Sequence, residues 1–271
     1  MSSLSGNVAY VTGAARGQGR AHAVRLAQAG ADIVAVDVCA QVAEFSGYPM
    51  AEPDDLAETA RLVEAEGRKA LIRELDVRDL AAQEAAVAEA VDTFGRLDVV
   101  VANAGVCNWG RIWEISADQF RETVDVNLTG VWNTIKATVP AMIAAGNGGS
   151  IITVGSSAGV KAPPGCGHYA ATKFGVVGLT KALAVELGEF GIRANVVLPY
   201  ATNTALGNDT SMYKLFEQHP AYVYSYPPNL LDTERLVEPE EIAEAVVWLA
   251  DDASAVISGA QIPVDKGFLA R

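Results

Sequence analysis

Tyr169 and Lys173 are the two residues whose types and spacing point most directly to chemistry. They lie four positions apart in the segment HYAATK at 168–173, within a long apolar stretch that has helical spacing. Residues at positions i and i+4 share one face of a helix, so a phenol and an ammonium here can act on one substrate. A free tyrosine has a pKa of about 10, and a neighbouring cation lowers it. The pair therefore predicts a proton donor and acceptor for the interconversion of an alcohol and a ketone.

A glycine-rich turn near the N-terminus indicates a dinucleotide site. The segment TGAARGQG at 12–19 follows an apolar strand pattern and precedes a helical one. Glycines let a pyrophosphate approach the backbone, and the free N–H groups of the following helix attract it. The spacing G-x-x-x-G-x-G differs from the usual G-x-G-x-x-G, and a purely structural turn is the alternative. The candidate cofactor-binding residues of this turn are Gly13, Arg16, Gly17, Gln18 and Gly19.

Asp37 closes the second predicted strand and is followed by Val38, a further candidate cofactor contact. A carboxylate at this place accepts hydrogen bonds from the adenosine ribose 2′-OH and repels a 2′-phosphate, which predicts NAD. Arg16 argues the other way, because a cation inside the turn favours a 2′-phosphate. Asp37 directly faces the expected ribose position and is given more weight. A plain strand-end turn is the alternative interpretation.

Strand and helix patterns alternate along the whole chain. Apolar strands are predicted at 7–12, 32–37, 70–75, 97–102, 150–154, 192–198 and 261–264, and helices at 18–29, 53–67, 79–94, 117–145, 169–189 and 239–250. Apolar strands that alternate with helices indicate a parallel sheet covered on both faces. We therefore predict an α/β fold, a single Rossmann-type domain over residues 1–271 with a doubly wound parallel sheet.

Two segments, 38–53 and 200–237, are too long for ordinary connections. The first is expected near the cofactor and the second as a lid over the substrate. An apolar, ring-containing substrate is expected from the side chains of the lid, and packing in the core or at a subunit contact is the alternative. The side chains that we expect around the substrate are Met212, Tyr213, Phe216, Tyr222, Tyr224 and Tyr226, joined by Trp109 and Trp113.

Composition excludes several classes of function. Half of the 271 residues are hydrophobic and the formal net charge is −13, which argues against nucleic-acid binding. No long uninterrupted apolar run predicts a membrane span, and the N-terminal segment has no pattern of a secretory signal. Three scattered cysteines are typical of reduced thiols in the cytoplasm. No Cys/His spacing indicates zinc, so no metal site is expected.

These residues together resemble the short-chain dehydrogenase/reductase family over essentially the whole chain. The glycine turn, the serine before the tyrosine and the Tyr-x-x-x-Lys pair carry the resemblance. It implies an NAD-binding oxidoreductase and places further residues at the cofactor, with Asp76 near the adenine and Thr204 near the nicotinamide amide. The additional cofactor-binding residues implied are Asp76, Val77, Asn103, Ala104, Gly105, Tyr169, Lys173, Pro199, Thr202 and Thr204.

The resemblance also implies a catalytic group of Ser156, Tyr169, Lys173 and Asn127. Ser156, thirteen residues before Tyr169, would hold the substrate oxygen, and Ser157 is the alternative. Asn127 would hold a water in the proton relay, and Lys173 would bind the nicotinamide ribose. The chain departs from the family pattern at two positions, with tyrosine at 200, where glycine is usual, and alanine at 102, where asparagine is common.

A finer resemblance is to the mycofactocin-associated subgroup, which includes enzymes similar to carveol dehydrogenase. It rests on the sequences GAARGQG at 13–19, VDVCA at 36–40 and YPMAEPDDL at 48–56. It implies that the insert at 38–53 covers the adenine end of a tightly bound, non-exchanging NAD. An external redox partner of mycofactocin type would then reoxidise it. The family resemblance also implies a homotetramer packed through 117–145 and 169–189, with Gly175, Val176, Gly178 and Leu179 as candidate contacts.

Three functions fit the sequence to different degrees. The leading hypothesis is an NAD-dependent dehydrogenase of a secondary alcohol, cyclic or terpenoid-like, of carveol type. A 3-oxoacyl-thioester reductase shares the catalytic residues, but Asp37 and the acidic charge count against it. A non-enzymatic dinucleotide-sensing or scaffold protein has no need to keep Ser156, Tyr169 and Lys173 together.

Overall fold

The computed structural model describes residues 4–231 and 236–271, in which seven strands form one parallel sheet. Residues 1–3 and 232–235 lie outside the described part, so the first residues of the N-terminal segment and a short piece of the predicted lid are not covered. The strands of the sheet are β1 Val8–Thr12, β2 Asp32–Asp37, β3 Ala70–Glu74, β4 Val99–Ala102, β5 Gly149–Val154, β6 Ile192–Pro199 and β7 Gln261–Val264.

Eight α-helices connect or flank these strands within the described residues. They are α1 Gly17–Gln28, α2 Pro53–Ala65, α3 Leu80–Phe94, α4 Ala117–Val124, α5 Gly130–Ala145, α6 Gly167–Glu186, α7 Thr210–Gln218 and α8 Pro239–Ala250. Helix α7 lies inside the segment that the sequence predicts only as a lid. Within those residues, no helix is long and apolar enough to cross a membrane.

The strand order is β3-β2-β1-β4-β5-β6-β7, with parallel pairing throughout. Strand β1 lies between β2 and β4, and Val11 is level with Ala35 on one side and Val101 on the other. The direction in which the chain winds reverses at this point. The carboxyl ends of β1 and β4 therefore diverge and open a crevice, the usual ligand position in open α/β sheets.

Alternate residues of the strands face two separate cores. Val8 and Tyr10 of β1 belong to the core that also contains residues of α3, α5 and α6. Ala9 and Val11 belong to the core that also contains residues of α1, α2 and α8. Because successive side chains of a strand point to opposite faces, a strand that is apolar throughout must be covered twice. This confirms the predicted fold class.

The predicted helical stretch at 117–145 is divided by a wider turn. Ser116 and Gln119 form a reciprocal capping box at the start of α4. A π-helical turn, Asp125–Thr129, then joins α4 to α5. Such turns are frequent at functional sites, and this one contains Asn127.

Thr12 joins the ends of the two central strands. Its hydroxyl oxygen accepts hydrogen bonds from the backbone N–H groups of Asn103 and Ala104, both at 3.0 Å. In return, the Asn103 side-chain amide donates to the carbonyl oxygens of Thr12, at 2.8 Å, and Gly13, at 3.3 Å. The glycine turn and the segment after β4 are thereby fixed relative to each other.

We expect Thr12→Val to lower the free energy of unfolding by about 1–2 kcal/mol, because it leaves two partly buried N–H groups without an acceptor. Urea unfolding measures the change. Thr138→Val is the matched control, since that buried hydroxyl hydrogen-bonds the Thr134 and Ile135 carbonyl oxygens of its own helix and accepts from no backbone N–H group of another segment. Equal losses in the two variants would contradict the role assigned to Thr12.

Candidate functional site

One cleft at the carboxyl ends of the strands is lined by almost all the residues that the sequence predicts to bind the cofactor or take part in catalysis. Its far wall is formed by the insert at 38–53 and its outer wall by α7. The predicted cofactor-binding residues on the cleft wall are Gly13, Arg16, Gly17, Gln18, Gly19, Asp37, Val38, Asp76, Val77, Asn103, Ala104, Gly105, Tyr169, Lys173, Pro199, Thr202 and Thr204. Ser156 also lies on it, whereas Asn127 lies behind it.

The glycine turn has the local structure of a pyrophosphate site. Helix α1 begins at Gly17 without a side-chain cap, so its first N–H groups remain available to an anion. Gly19 packs against the turn so closely that a Cβ added there would lie 2.0 Å from the Gly13 carbonyl oxygen. The residues present therefore fit a dinucleotide.

Asp37 and Arg16 occupy positions that favour NAD over NADP. The Asp37 carboxylate accepts hydrogen bonds from the N–H groups of Ala15, at 3.0 Å, and Cys39, at 3.3 Å, which fixes it at the end of β2. The Arg16 guanidinium donates to the Pro49 carbonyl oxygen in the insert. Arg16 is thus used to hold the insert, which removes the sequence argument for a 2′-phosphate.

Asp76 lies on the wall at the predicted adenine end, and Arg78 holds its carboxylate. The Arg78 Nε donates to Asp76 Oδ2 at 2.8 Å, and the Arg78 backbone N–H donates to Oδ1 at 2.9 Å. Burial raises the pKa of Asp76, but these hydrogen bonds outweigh it and keep the pKa below its usual value. The carboxylate is therefore an acceptor in a fixed orientation.

Strand β5 and helix α6 bring Ser156 and Tyr169 together. The Ser156 side chain is close enough to the Tyr169 phenol to lower its pKa, although burial outweighs this effect, and the Ser156 hydroxyl oxygen accepts from the Ala158 N–H at 3.0 Å. Ser157 is buried but also lies on the cleft wall, as Ser156 does. The preference for Ser156 over Ser157 stays a prediction that rests on its spacing from Tyr169.

Lys173 lies beside Tyr169 as the helical spacing predicts, with its Nζ 5.5 Å from the centre of the phenol ring. The Nζ donates to the Val154 carbonyl oxygen at 2.8 Å. Burial lowers the pKa of Lys173 to about 8 and raises that of Tyr169. The predicted lowering of the Tyr169 pKa by Lys173 is therefore wrong for this structure. The spacing of the two residues predicts their proximity, but it does not predict the burial that disfavours the phenolate.

Asn127 is a fully buried amide that supports the cleft from behind. Its Oδ1 accepts from the Val106 N–H, and its Nδ2 donates to the Val106 carbonyl oxygen, both at 2.8 Å. The Nδ2 also lies 3.4 Å from the Thr172 hydroxyl, next to Lys173. The side chain thereby connects the segment after β4 to α6.

The insert reaches further than the adenine end. Val42, Met50 and Ala51 line the cleft, and so does Tyr48, whose phenol is close enough to Tyr169 to affect its pKa. The sequence places Tyr48 over the adenosine, whereas the structure places it near the catalytic tyrosine. The insert therefore spans the length of the cleft.

Aromatic side chains of the lid surround the catalytic end. Trp109 lies 6.4 Å from both Phe216 and Tyr226, and the rings of Phe216 and Tyr226 are 4.9 Å apart. Met212 and Tyr213 also line the cleft. The expectation for Trp113, Tyr222 and Tyr224 is wrong, because none of them lies on the wall; Trp113 is 71% exposed and Tyr224 is 88% exposed.

Some residues of the pocket are not identified from the sequence. Cys107 and Cys166 line it, and burial raises the pKa of both thiols, to about 12 for Cys166. They therefore act as small apolar wall residues and not as nucleophiles. Tyr200, one of the two departures from the family pattern, stacks on Phe268 with ring centres 3.7 Å apart, which fixes the loop after β6.

The comparison with known families gives one match over nearly the whole chain. A family model described as enoyl-(acyl carrier protein) reductase matches residues 13–269. An uncharacterized NAD-dependent oxidoreductase of Mycobacterium tuberculosis is 58% identical over 267 residues, which cover 98% of this chain and 97% of the relative. A (−)-trans-carveol dehydrogenase of Rhodococcus erythropolis is 42% identical over 275 residues, which cover 98% and 99%.

Two solved structures are close in both fold and sequence. A carveol dehydrogenase from Mycobacterium avium in complex with NAD has a TM-score of 0.94 and 42% identity, and the match covers 100% of both chains. A short-chain dehydrogenase from Mycobacterium paratuberculosis bound to NAD has a TM-score of 0.95 and 45% identity over 99% of both chains. The chain is therefore similar over its full fold to NAD-binding dehydrogenases.

The buried ammonium of Lys173 leads to a prediction for stability in the absence of nucleotide. The folded pKa of about 8 lies below the ordinary 10.5, so between these values the unfolded chain binds more protons than the folded one. Stability then rises with pH in that range. We expect the free energy of unfolding of the wild type, measured with urea, to increase relative to that of Lys173→Met as the pH rises from 8 to 10.5. The exposed Lys181→Met is the matched control, and parallel pH curves for the wild type and Lys173→Met would contradict the burial effect.

Proposed function

This chain belongs to the short-chain dehydrogenase/reductase family and is an NAD-dependent oxidoreductase; on that premise we propose that it interconverts a small apolar secondary alcohol and its ketone. The observation that carries the proposal is that Ser156 and Tyr169 lie on the same cleft wall as a cluster of aromatic side chains. A cyclic or terpenoid-like alcohol of carveol type fits such a pocket. The similarity to carveol dehydrogenases supports this substrate class.

Each catalytic residue has a distinct task in this proposal. The Ser156 hydroxyl donates a hydrogen bond to the substrate oxygen and orients it toward Tyr169. The Tyr169 Oη takes the proton from the alcohol, or returns it to the ketone in the reverse direction. Lys173 holds the ribose end of the cofactor and supplies positive charge, and Asn127 fixes the backbone behind both. NAD, when bound, supplies the hydride acceptor.

A 3-oxoacyl-thioester reductase shares this catalytic group and is the alternative. Such an enzyme more often uses NADPH and needs a basic surface for an acidic carrier. The fixed Asp37 carboxylate, the use of Arg16 by the insert and the net charge of −13 support the alcohol dehydrogenase instead. The presence of Ser156, Tyr169 and Lys173 on one cleft wall argues against a sensing or scaffold function.

We further propose that NAD is tightly held and reoxidised in place by an external redox partner of mycofactocin type. The insert is attached on three sides of the cleft: Arg16 holds Pro49, Glu122 accepts from the Glu44 N–H at 2.7 Å, and Cys107 binds Tyr48. A cover attached in this way must open before nucleotide leaves, which slows dissociation. The three free cysteines support a reducing, cytoplasmic setting.

A homotetramer is the assembly that we propose, and exposed aromatic residues on α4, α5 and α6 support it. Phe120 is 43%, Trp132 46% and Phe174 46% exposed, and Gly178 leaves space beside α6. Val176 was expected at the contact, but it lies fully buried in the core. Sedimentation at micromolar concentration should give four times the mass of the 28.4 kDa chain; a monomer would refute this assembly.

Tyr169→Phe tests the catalytic assignment. Removing the phenol oxygen should lower turnover of a secondary alcohol by about 10²–10⁴-fold, the usual contribution of a general acid–base group, while nucleotide binding stays nearly unchanged. Turnover and bound nucleotide are measured on the same preparation. Tyr213→Phe, at the outer wall, is the matched control. Turnover of Tyr169→Phe within tenfold of the wild type would remove Tyr169 from its role.

Cofactor retention is tested by gel filtration of the purified protein. We expect NAD to remain bound, added NAD to support little turnover, and a small redox dye to restore steady alcohol oxidation. The nucleotide released by denaturation is identified by its mass and absorbance. Protein that emerges free of nucleotide and oxidises alcohol steadily with added NAD would exclude retention, although the dehydrogenase assignment would stand.

A further inference from the structure

Residues 46–48 of the insert are hydrogen-bonded to both backbone polar groups of Cys107. The Ser46 hydroxyl donates to the Cys107 carbonyl oxygen at 3.3 Å, and the Cys107 N–H donates to the Tyr48 hydroxyl at 3.4 Å. Cys107 follows β4 and forms part of the substrate pocket. The segment is therefore attached to the pocket wall itself.

Gly47 attaches the same segment to the lid. Its N–H donates to Asp209 Oδ2 at 3.2 Å. The other oxygen of that carboxylate accepts from the Ser211 N–H at 2.8 Å and caps α7. A Cβ at Gly47 would lie 1.9 Å from the Ser211 hydroxyl oxygen, so only glycine permits this approach. Asp209 is 2% exposed, which makes the loss of either partner costly.

Helix α7 in turn carries Met212 and Phe216 on the pocket wall, while Tyr48 is near Tyr169. We propose that segment 46–48 is a specificity-determining part of the substrate pocket and that Asp209 is the positioning residue that couples it to α7. The insert that covers the nucleotide therefore also sets the width of the space for the alcohol. This inference rests on the proposed alcohol dehydrogenase function and deepens it.

The first test is Asp209→Asn, compared with Asp79→Asn. Asparagine is a good helix cap, but it cannot accept from both Gly47 and Ser211 through two oxygens. Asp79 caps α3 by the same kind of contact, to the Ala82 N–H, and lies away from the pocket. We expect Asp209→Asn to change the ratio of kcat/KM for carveol over cyclohexanol by about tenfold, the scale of a small change in pocket size. Asp79→Asn should leave the ratio unchanged.

The second test distinguishes a residue that lines the substrate pocket from a residue that only holds the insert over the nucleotide. Tyr48→Ala should raise the carveol-to-cyclohexanol ratio by about tenfold, because it widens the pocket, and Tyr48→Phe should change it less. Glu122→Ala removes the acceptor of the Glu44 N–H on the other side of the insert, at a residue that does not line the pocket. It should speed the loss of NAD and leave the ratio unchanged. Equal ratios in the wild type, Asp209→Asn and Tyr48→Ala would overturn the proposal.

Hydrogen exchange gives a measurement that does not depend on turnover. If the coupling is present, Asp209→Asn raises amide exchange at 44–50 as well as at 210–218, and Asp79→Asn raises neither. Faster exchange confined to 210–218 would overturn the coupling. A wild type that oxidises neither alcohol would instead count against the proposed function, and the exchange pattern would still decide the coupling.

Discussion

The hydrogen bonds of Thr12 with Asn103 and Ala104 are the constraint on which the rest of the site depends. They join residues 91 and 92 positions apart at the point where β1 and β4 diverge. Parallel pairing alone brings these strand ends to one edge of the sheet. The Thr12 hydroxyl and the Asn103 amide then fix the glycine turn against the segment that leads to Cys107. The glycine-turn end of the cleft and the end near Cys107 therefore share one support.

The burial of Lys173 and Tyr169 lowers the stability of the fold when either group carries a charge. Lys173 is 3% exposed, and its ammonium has the Val154 carbonyl as its hydrogen-bond acceptor. Burial disfavours its charge and also disfavours the phenolate of Tyr169. Two groups that are both costly to ionise lie next to each other, and the structure around them, from Val154 to Asn127, holds them there. Such an arrangement is typical of functional sites, where stability and activity conflict.

The strands, most of the helices and the placement of Lys173 beside Tyr169 could be predicted from the sequence, because each depends on residues close together in the chain. The positions of β2, α8 and β7 agree residue for residue with the sequence patterns, since turn residues and apolar runs mark their ends. The i, i+4 relation placed Lys173 beside Tyr169. Helix α7 was missed because it is short and only Leu215 in it is buried, so its apolar pattern is weak. The sequence did not predict the raised pKa of Tyr169. Burial depends on the whole fold, and the spacing between two residues carries no information about it.

The insert shows why contacts between distant segments are the hardest to predict. Its sequence lies directly after Asp37, which suggests a role at the adenosine, yet Gly47 meets Asp209 at a separation of 162 positions. No local pattern in either segment specifies that pairing. The contacts that close the cleft join protein to protein, through the peptide groups of Gly47, Pro49 and Cys107 and not through charged groups aimed at the nucleotide. Each such hydrogen bond contributes only about 1 kcal/mol. Tyr48 and Cys107 belong both to these contacts and to the cleft wall. The proposed retention of the cofactor and the proposed selection of the substrate therefore share these two residues.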